Sequence, residues 1–199
     1  MAVVAVVGIG LGVYLWAIRS PVVIVEPAPR PQATNSDHDI LDVVLSDLLK
    51  DTEISAAVHP RGGKLIQIEV ENTTAGPPEL RIDSVCLHSK QAIPAEIRTD
   101  LEARNPRSRQ YHLVNYRPSN PDIVVKDPER LLTFDEFLRR SPQTTARVHP
   151  LLPGYSRDGQ QALFCFHFSP SPHGAAGCYF LKKVNGRWEI VWKQISFFA

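Results

Sequence analysis

The sequence predicts an α+β protein: an N-terminal transmembrane helix, then a helix packed on a curved antiparallel sheet that ends in a C-terminal β-meander. Three observations predict this class. The first 18 residues carry no charged side chain. Residues 36–51 repeat apolar side chains at helical spacing. Residues 161–194 form apolar and alternating runs that are separated by turn signals, of which Asn185-Gly186 is the strongest.

The composition bounds the kinds of function. A chain of 199 residues suits one domain with an appendage. It has 22 Lys and Arg against 21 Asp and Glu, so it carries no broad basic field and we expect no nucleic-acid partner. The 3 cysteines allow at most one intrachain disulfide and one remaining thiol.

Residues 1–19 are predicted to anchor the chain in a membrane. A helix of this length spans about 27 Å, close to the thickness of a bilayer core. A cleavable signal peptide is the alternative, but the segment lacks a basic n-region and a clean small-residue cleavage site. Residues 20–35 are rich in proline and predict an extended linker. We therefore expect a single-pass cell-membrane protein whose domain, residues 36–199, lies outside the cytoplasm.

Residues 36–51 form the clearest predicted helix. Ser36 can be the N-cap, and Asp39 lies three residues later, as in a capping box. Two rows of apolar residues spaced by four give a broad apolar stripe that should lie on a sheet. The triplet at residues 37–39, Asp-His-Asp, resembles a metal ligand set, but acidic residues at a helix start are explained by capping.

The middle of the chain predicts shorter elements. An alternating run at 64–71 indicates a half-buried strand. Pro94 suits the start of a helix whose apolar face holds Ile93, Ile97 and Leu101. The predicted elements are, in order, strands 64–71 and 80–89, helix 95–103, strands 111–116 and 122–127, and helix 133–141.

The C-terminal meander predicts strands 161–168, 177–184 and 187–194. The two-residue Asn-Gly turn sets a register that pairs Val184 with Arg187, Lys182 with Glu189, Phe180 with Val191, and Cys178 with Lys193. In this register one face collects large apolar side chains, so it is the predicted core face. Its members are Tyr179, Leu181, Trp188, Ile190 and Trp192.

The segment from Cys165 to Cys178 leaves three alternatives open. If the phenylalanines of strand 161–168 face the core, Cys165 lies opposite Cys178, and the pair becomes a disulfide candidate. A zinc site would use Cys165, His167, His173 and Cys178, but this spacing matches no common structural zinc pattern. Two unlinked thiols are the third alternative. We expect no metal and no cofactor.

The C-terminal part resembles a family of uncharacterised bacterial exported or membrane-anchored proteins that end in a β-meander. The residues that carry the resemblance are Gly154, Tyr155, Ser156, Asp158, Gly159, Ala162, Leu163, Gly177, Tyr179, Leu181, Lys182, Gly186, Trp188 and Ile190. A helix followed by such a meander is also similar to cystatin-like and nuclear-transport-factor-like α+β rolls. The resemblance implies no catalytic residue, and such rolls host both enzymes and binding modules.

No established catalytic motif occurs in the sequence: it has no Gly-x-Ser-x-Gly elbow, no phosphate loop and no His-Glu-x-x-His. The first hypothesis is a non-catalytic, membrane-tethered module that binds a protein or a small ligand. The alternative is a small enzyme with a roll-type pocket and a histidine or carboxylate base. The pocket candidates are His112, His167, Tyr179, Trp188 and Trp192.

Overall fold

The computed structural model describes residues 33–51, 67–71, 92–106, 113, 115–126, 134–140, 144–169 and 175–197. The predicted anchor at 1–19, most of the predicted linker and the strand predicted at 80–89 lie outside these residues. His112, His173 and Cys86 do so as well. The described residues belong to one compact unit, residues 31–199.

The helices among the described residues match the three that the sequence predicts for the domain. They are α1 (Asn35–Leu48), α2 (Ala95–Arg104) and α3 (Phe134–Arg140). The strand predicted at 111–116 is wrong for its described residues 113, 115 and 116. There, Asn115 takes a left-handed conformation (φ 65°), and the N–H of Tyr116 bonds the carbonyl of Leu113, so the backbone turns instead of extending.

The described strands build one seven-stranded sheet with the order β2-β1-β3-β5-β6-β7, and β4 pairs with β5. Their bounds are β1 (Gln67–Glu71), β2 (Ile123–Lys126), β3 (Thr144–Pro150), β4 (Gly154–Tyr155), β5 (Gln161–Ser169), β6 (Ala175–Val184) and β7 (Arg187–Phe197). The α+β class is confirmed.

The sheet is antiparallel only in its C-terminal part, from β3 to β7. Strand β1 runs parallel to both β2 and β3, which corrects the prediction of a wholly antiparallel sheet. The connection from β1 to β2 contains α2, and a crossover of this length is what a parallel pair needs. Strand periodicity alone carries no information on direction.

The final hairpin follows the predicted register only near its turn. Asn185 and Gly186 have φ angles of 50° and 80°, as a type I′ turn requires, and Val184 pairs with Arg187. Farther from the turn the register shifts by one residue, because Val191 forms a bulge. The predicted pairings of Phe180 with Val191 and of Cys178 with Lys193 are therefore wrong. The observed partners are Trp192 for Phe180 and Gln194 for Cys178.

Apolar clusters cover both faces of the antiparallel part, because alternate residues of each strand point to opposite sides. The α1 cluster joins the apolar stripe of α1 to Phe164, Phe166, Tyr179, Leu181 and Trp188. The α2 cluster joins Ile97 and Leu101 of α2 to Leu163, Cys165, Ala176 and Cys178. The bulge at Val191 moves Trp192 to the α2 side, where it stacks on Phe180 at 5.9 Å, so its predicted place on the core face with Trp188 is wrong.

The N-cap of helix α1 lies two residues earlier than predicted. The N-cap is Thr34, whose hydroxyl accepts the N–H of Asp37 at 3.3 Å. Asp37 returns a bond by accepting the N–H of Thr34 at 2.6 Å. The capping box is thus Thr34 with Asp37 and not Ser36 with Asp39. Ser36 lies inside the first turn, where its hydroxyl accepts the indole N–H of Trp188 at 3.3 Å.

Candidate functional site

A buried ion pair joins the start of α1 to the end of α2. The two terminal nitrogens of Arg104 donate to the two carboxylate oxygens of Asp37 at 3.0 and 2.9 Å. The side chain of Asp37 is 0% exposed and that of Arg104 is 15% exposed. Tyr155 of β4 donates its hydroxyl to Asp37 Oδ1 at 2.6 Å. The carboxylate is therefore fully engaged, since Thr34 already binds its other oxygen.

The charges of this cluster are fixed near neutral pH. Burial alone would raise the pKa of Asp37, but the bonds from Arg104, Tyr155 and Thr34 outweigh it and hold this pKa below the usual 3.8. Burial opposes the charge of Arg104 as well, yet Asp37 raises the pKa of Arg104 above its usual value. Burial and the charge of Asp37 raise the pKa of Tyr155. All three groups therefore keep one protonation state near pH 7.

Aromatic and backbone contacts extend the cluster. Arg104 Nη1 also donates to the carbonyl of Pro153 at 2.5 Å, and its guanidinium lies 5.1 Å from the centre of the Tyr155 ring. The Tyr155 ring in turn lies 5.9 Å from the ring of Trp188. These contacts fix the position of Tyr155, which forms part of the surface described next.

A groove of about 520 Å³ lies between α2 and the chain that follows β4. One face of α2 supplies one wall through residues at positions i, i+3, i+4 and i+7. The lining residues are Glu96, Thr99, Asp100, Ala103, Tyr155, Ser156 and Arg157. The groove is open to solvent.

The spacing of the two walls depends on Gly154. A Cβ atom at this position would lie 2.5 Å from the carbonyl oxygen of Ile97 and 2.6 Å from Cβ of Leu101. Only glycine allows β4 to approach the backbone of α2 so closely. The N–H of Tyr155 then donates to Asp100 Oδ2 at 2.8 Å, which ties the strand to the helix.

The second wall is held by a tight turn. The hydroxyl of Ser156 donates to Asp158 Oδ1 at 2.6 Å and accepts the N–H of Gln161 at 2.9 Å. The bond from Ser156 lowers the pKa of Asp158. Arg157 lies between these residues and is exposed. The groove thus presents one guanidinium, two carboxylates on α2 and several hydroxyls, so it offers charges of both signs.

The structure does not bring the described pocket candidates together. Tyr179 is buried under α1 and donates its hydroxyl to Asp47 at 2.9 Å, and Trp188 is packed in the same cluster. Trp192 lies on the opposite face of the sheet. His167 lies on β5 directly opposite His149 of β3. Burial, and then the neighbouring His149, lowers the pKa of His167 to about 4, so this ring is neutral at pH 7.

The cysteines of the meander stand in the predicted register. Cys165 is the direct partner of Cys178, and both thiols are buried and not joined by a disulfide. Within the described residues no group of three or more histidines, cysteines and carboxylates could hold a metal ion. The zinc alternative also needs His173, which lies outside the described residues.

Sequence reasoning missed the groove and the ion pair beneath it. The sequence does contain a local signal for Asp37, since an acidic residue at a helix start is typical of capping. It contains no local signal for Arg104, which is 67 residues away. Gly154 and Tyr155 belong to the residues of the family resemblance, but that resemblance assigns no role to them.

Comparison with known proteins gave no match: no protein-family model, no curated protein and no solved structure is significantly similar to this chain. The resemblance of the C-terminal part to exported bacterial proteins therefore stays a prediction. In the described part of the chain no helix combines the length and the apolar character needed to cross a membrane. The predicted anchor lies outside that part.

Proposed function

We propose that this protein is a membrane-tethered binding module whose groove between α2 and the β4–β5 turn receives a segment of a partner protein. In this proposal residues 1–19 anchor the chain, residues 20–35 space the domain from the bilayer, and the domain lies outside the cytoplasm. The observation that carries the proposal is the groove itself, a surface of mixed polar and apolar character that lies beside a buried ion pair.

The form and chemistry of the groove favour a peptide segment over a small molecule. Its volume of about 520 Å³ is within the range of ligand pockets. Such pockets, however, are mostly enclosed and apolar, whereas this groove is open and lined by Glu96, Asp100, Arg157 and hydroxyls. An extended partner with both charged and polar side chains complements this lining better than a compact apolar ligand does.

Binding is also a better fit than catalysis. The titratable groups beneath the groove are saturated by one another and keep their charges near pH 7. In the described residues the sheet faces are filled by the α1 and α2 clusters, so Tyr179, Trp188 and Trp192 pack against neighbours instead of lining a roll-type pocket. The alternative, a small enzyme with a histidine or carboxylate base, has less support from these residues.

Site-specific photo-crosslinking in cells tests the proposed groove. A photoreactive amino acid at Thr99, in the full chain, should yield one discrete crosslinked product. The same group at Lys126, which is exposed on the edge strand β2, three strands from β5, is the control. We expect no matching product there. Equal products at both positions would contradict a specific groove.

A matched pair of variants on α2 sharpens this test. Ala103 lines the groove, while Ala95 is exposed on the same helix and is not part of the lining. Ala103→Trp should fill the groove and abolish the product at Thr99. Ala95→Trp should leave it unchanged. If both variants keep the product, the partner does not enter the groove.

The anchor is tested separately. The full chain should sediment with membranes and resist extraction by alkaline carbonate, and a chain that starts at residue 20 should not. A protease should digest the domain when it is added to cells whose outer barriers are permeabilised but whose cytoplasmic membrane is intact. Protection of the domain under these conditions would place it in the cytoplasm.

A further inference from the structure

The cysteine pair on β5 and β6 occupies a special position in the strand ladder. The N–H of Lys183 donates to the carbonyl of Gln160 at 2.8 Å, and these two residues are directly opposite, so they form a hydrogen-bonded pair. Hydrogen-bonded and non-hydrogen-bonded pairs alternate along an antiparallel ladder. The register runs without a shift from there to Cys165 and Cys178, five steps away. The cysteines are therefore a non-hydrogen-bonded pair.

This position suits a disulfide. In a non-hydrogen-bonded pair the Cα atoms are about 4.5 Å apart and the side chains approach each other closely. A disulfide needs Cα atoms about 4.4–6.8 Å apart. Both side chains point to the α2 cluster, where each is 0% exposed. The thiols are thus neighbours on one face of the sheet.

We propose that Cys165 and Cys178 are oxidised to a cross-strand disulfide while the domain folds. The co-reactant is a disulfide of a thiol–disulfide oxidoreductase or of a small disulfide compound. The thiolate of one cysteine attacks this disulfide and releases one thiol of the co-reactant. The thiolate of the second cysteine attacks the mixed disulfide. This second attack forms the cross-strand disulfide and releases the second thiol of the co-reactant. The co-reactant is thus reduced by two electrons from a disulfide to two thiols, which take up the two protons that the cysteines lost.

The burial of the pair determines when it reacts. Ile97 and Leu101 of α2 and Leu163 of β5 belong to the cluster that covers both sulfur atoms. A thiol in apolar surroundings without solvent access is inert to exchange. Oxidation therefore precedes the docking of α2, and the docked helix then protects the bond from reductants. The bond locks the strands beneath the helix that forms one wall of the groove.

The occurrence of this bond in cells rests on the proposed extracytoplasmic location, because oxidising compartments supply the co-reactant. The pairing itself does not rest on that location. Two samples of the full chain separate the two claims. One is taken from its native membrane without reductant, and the other is reduced in denaturant and refolded with oxidised glutathione.

Both samples are alkylated in denaturant and analysed by intact mass and peptide mapping. These measurements give the number of free cysteines and identify any linked peptides. We expect one alkylated cysteine, Cys86, and a linked peptide pair that contains Cys165 and Cys178. Prior treatment of the folded protein with dithiothreitol should leave this result unchanged, whereas dithiothreitol in denaturant should give three alkylated cysteines. Cys86→Ser should keep the link, and Cys165→Ala with Cys178→Ala should remove it.

The outcomes distinguish the two claims. Three alkylated cysteines in both samples, or a bond that contains Cys86, would overturn the proposed pair. A bond in the refolded sample alone would support the pair and contradict the extracytoplasmic location. The urea midpoint gives a second readout: it should be higher for the oxidised than for the reduced wild type, and equal for both treatments of the Cys165→Ala/Cys178→Ala variant.

Discussion

The helices α1 and α2 cover opposite faces of the same antiparallel strands, but different interactions hold them there. Helix α2 docks through apolar side chains and the close approach at Gly154, and its outer face lines the groove. Its polar bonds through Asp100 and Arg104 reach the segment 153–155 and the start of α1. Helix α1 adds polar bonds along its flanks. Its residues Asp37, Asp42 and Asp47 accept the hydroxyls of Tyr155, Tyr116 and Tyr179 at 2.6, 2.8 and 2.9 Å.

This difference has a physical consequence. Apolar contacts are non-directional, so they fix where a helix lies but only weakly fix its rotation and register. Hydrogen bonds to charged groups are directional and are worth about 1.5–3 kcal/mol each. The three Tyr–Asp bonds come from separate parts of the chain, so they tie the turn at residue 116, strand β4 and strand β6 to one helix. Helix α1 is therefore the element that organises the domain, and α2 is the element that presents the groove.

The largest expected effect comes from the buried end of α1. Asp37→Asn removes the charge that neutralises Arg104 and leaves a guanidinium that is only 15% exposed. Removal of one partner of a buried pair costs about 3–5 kcal/mol. We expect a loss of this size in the free energy of unfolding, measured by urea denaturation of residues 33–199 or of the full chain in detergent.

Asp39→Asn is the matched control, because Asp39 is exposed in the same turn of the helix. It should change the free energy of unfolding by less than about 0.5 kcal/mol. If the single variant at Asp37 does not fold, Asp37→Asn combined with Arg104→Met removes the unpaired charge and should recover part of the stability. Equal effects at Asp37 and Asp39 would mean that the ion pair with Arg104 does not stabilise the start of α1.

The second prediction concerns the α2 side. Gly154→Ala places a Cβ atom 2.5 Å from the backbone of Ile97, and neither backbone can move far. Overpacking of this kind costs about 1–3 kcal/mol. The same variant should weaken the crosslink at Thr99, since the groove wall must shift. Gly159→Asn, at an open position with φ of 67°, is the control and should cost little, because asparagine tolerates this conformation. Unchanged stability of Gly154→Ala would show that α2 is loosely docked.

Acidification should reduce the free energy of unfolding in two separate pH ranges, one for each side of the sheet. The pKa of His167 falls from 6.5 to about 4 on folding, so the unfolded chain binds the proton first and stability decreases as pH falls from about 6.5 to 4. The pKa of Asp37 is also lowered on folding, so its contribution is complete above the usual 3.8 and is lost as pH falls below it. Each proton changes the free energy of unfolding by at most about 1.4 kcal/mol per pH unit.

Two variants show which residue causes the loss of stability in each pH range. His167→Gln should flatten the stability profile between about pH 6.5 and 4 without changing the lower window. Asp37→Asn should flatten only the part below about pH 4. His149 faces His167 across the strands and is present in both variants. A profile of His167→Gln that is parallel to the wild-type profile would contradict the depressed pKa of His167.

The sequence predicted those features that depend on neighbouring residues. The Asn185-Gly186 turn fixed the pairs closest to it, and the alternation of β5 placed Cys165 opposite Cys178. The bulge was not predictable because Val191 and Trp192 are both apolar, so alternation allows either to face the core. The three-dimensional structure makes the choice: Trp192 stacks on Phe180, and Lys193 reaches the aspartates at the end of α1.

The candidate site was less predictable than the fold, because its parts are distant in sequence. The capping role belongs to Asp37 with Thr34, and the pattern was equally compatible with Ser36 and Asp39. The groove needs the end of α2, the glycine of β4 and the turn after it to meet. Each of these segments has an ordinary local explanation, and only their contact creates the site.

The smallest expected effect comes from the exposed end of α1. Lys193 lies 2.8 Å from Asp47 and 2.5 Å from Asp51, and its side chain is 34% exposed. Lys193→Met keeps most of the apolar stem and removes the charge. Exposed ion pairs contribute about 0.2–1 kcal/mol, so we expect a loss in this range that disappears in 1 M NaCl, where the Debye length is about 3 Å.

Lys182→Met is the control for Lys193→Met, because Lys182 faces Glu189 on the exposed side of the hairpin, away from α1. It should change the free energy of unfolding by less than the Lys193 variant at low salt. A loss above about 2 kcal/mol at Lys193 that persists in 1 M NaCl would mean that this end of α1 is held like the Asp37 end. The bulge at Val191 would then be required to bring Lys193 to α1, and the register of β7 would follow from helix docking rather than from the Asn-Gly turn.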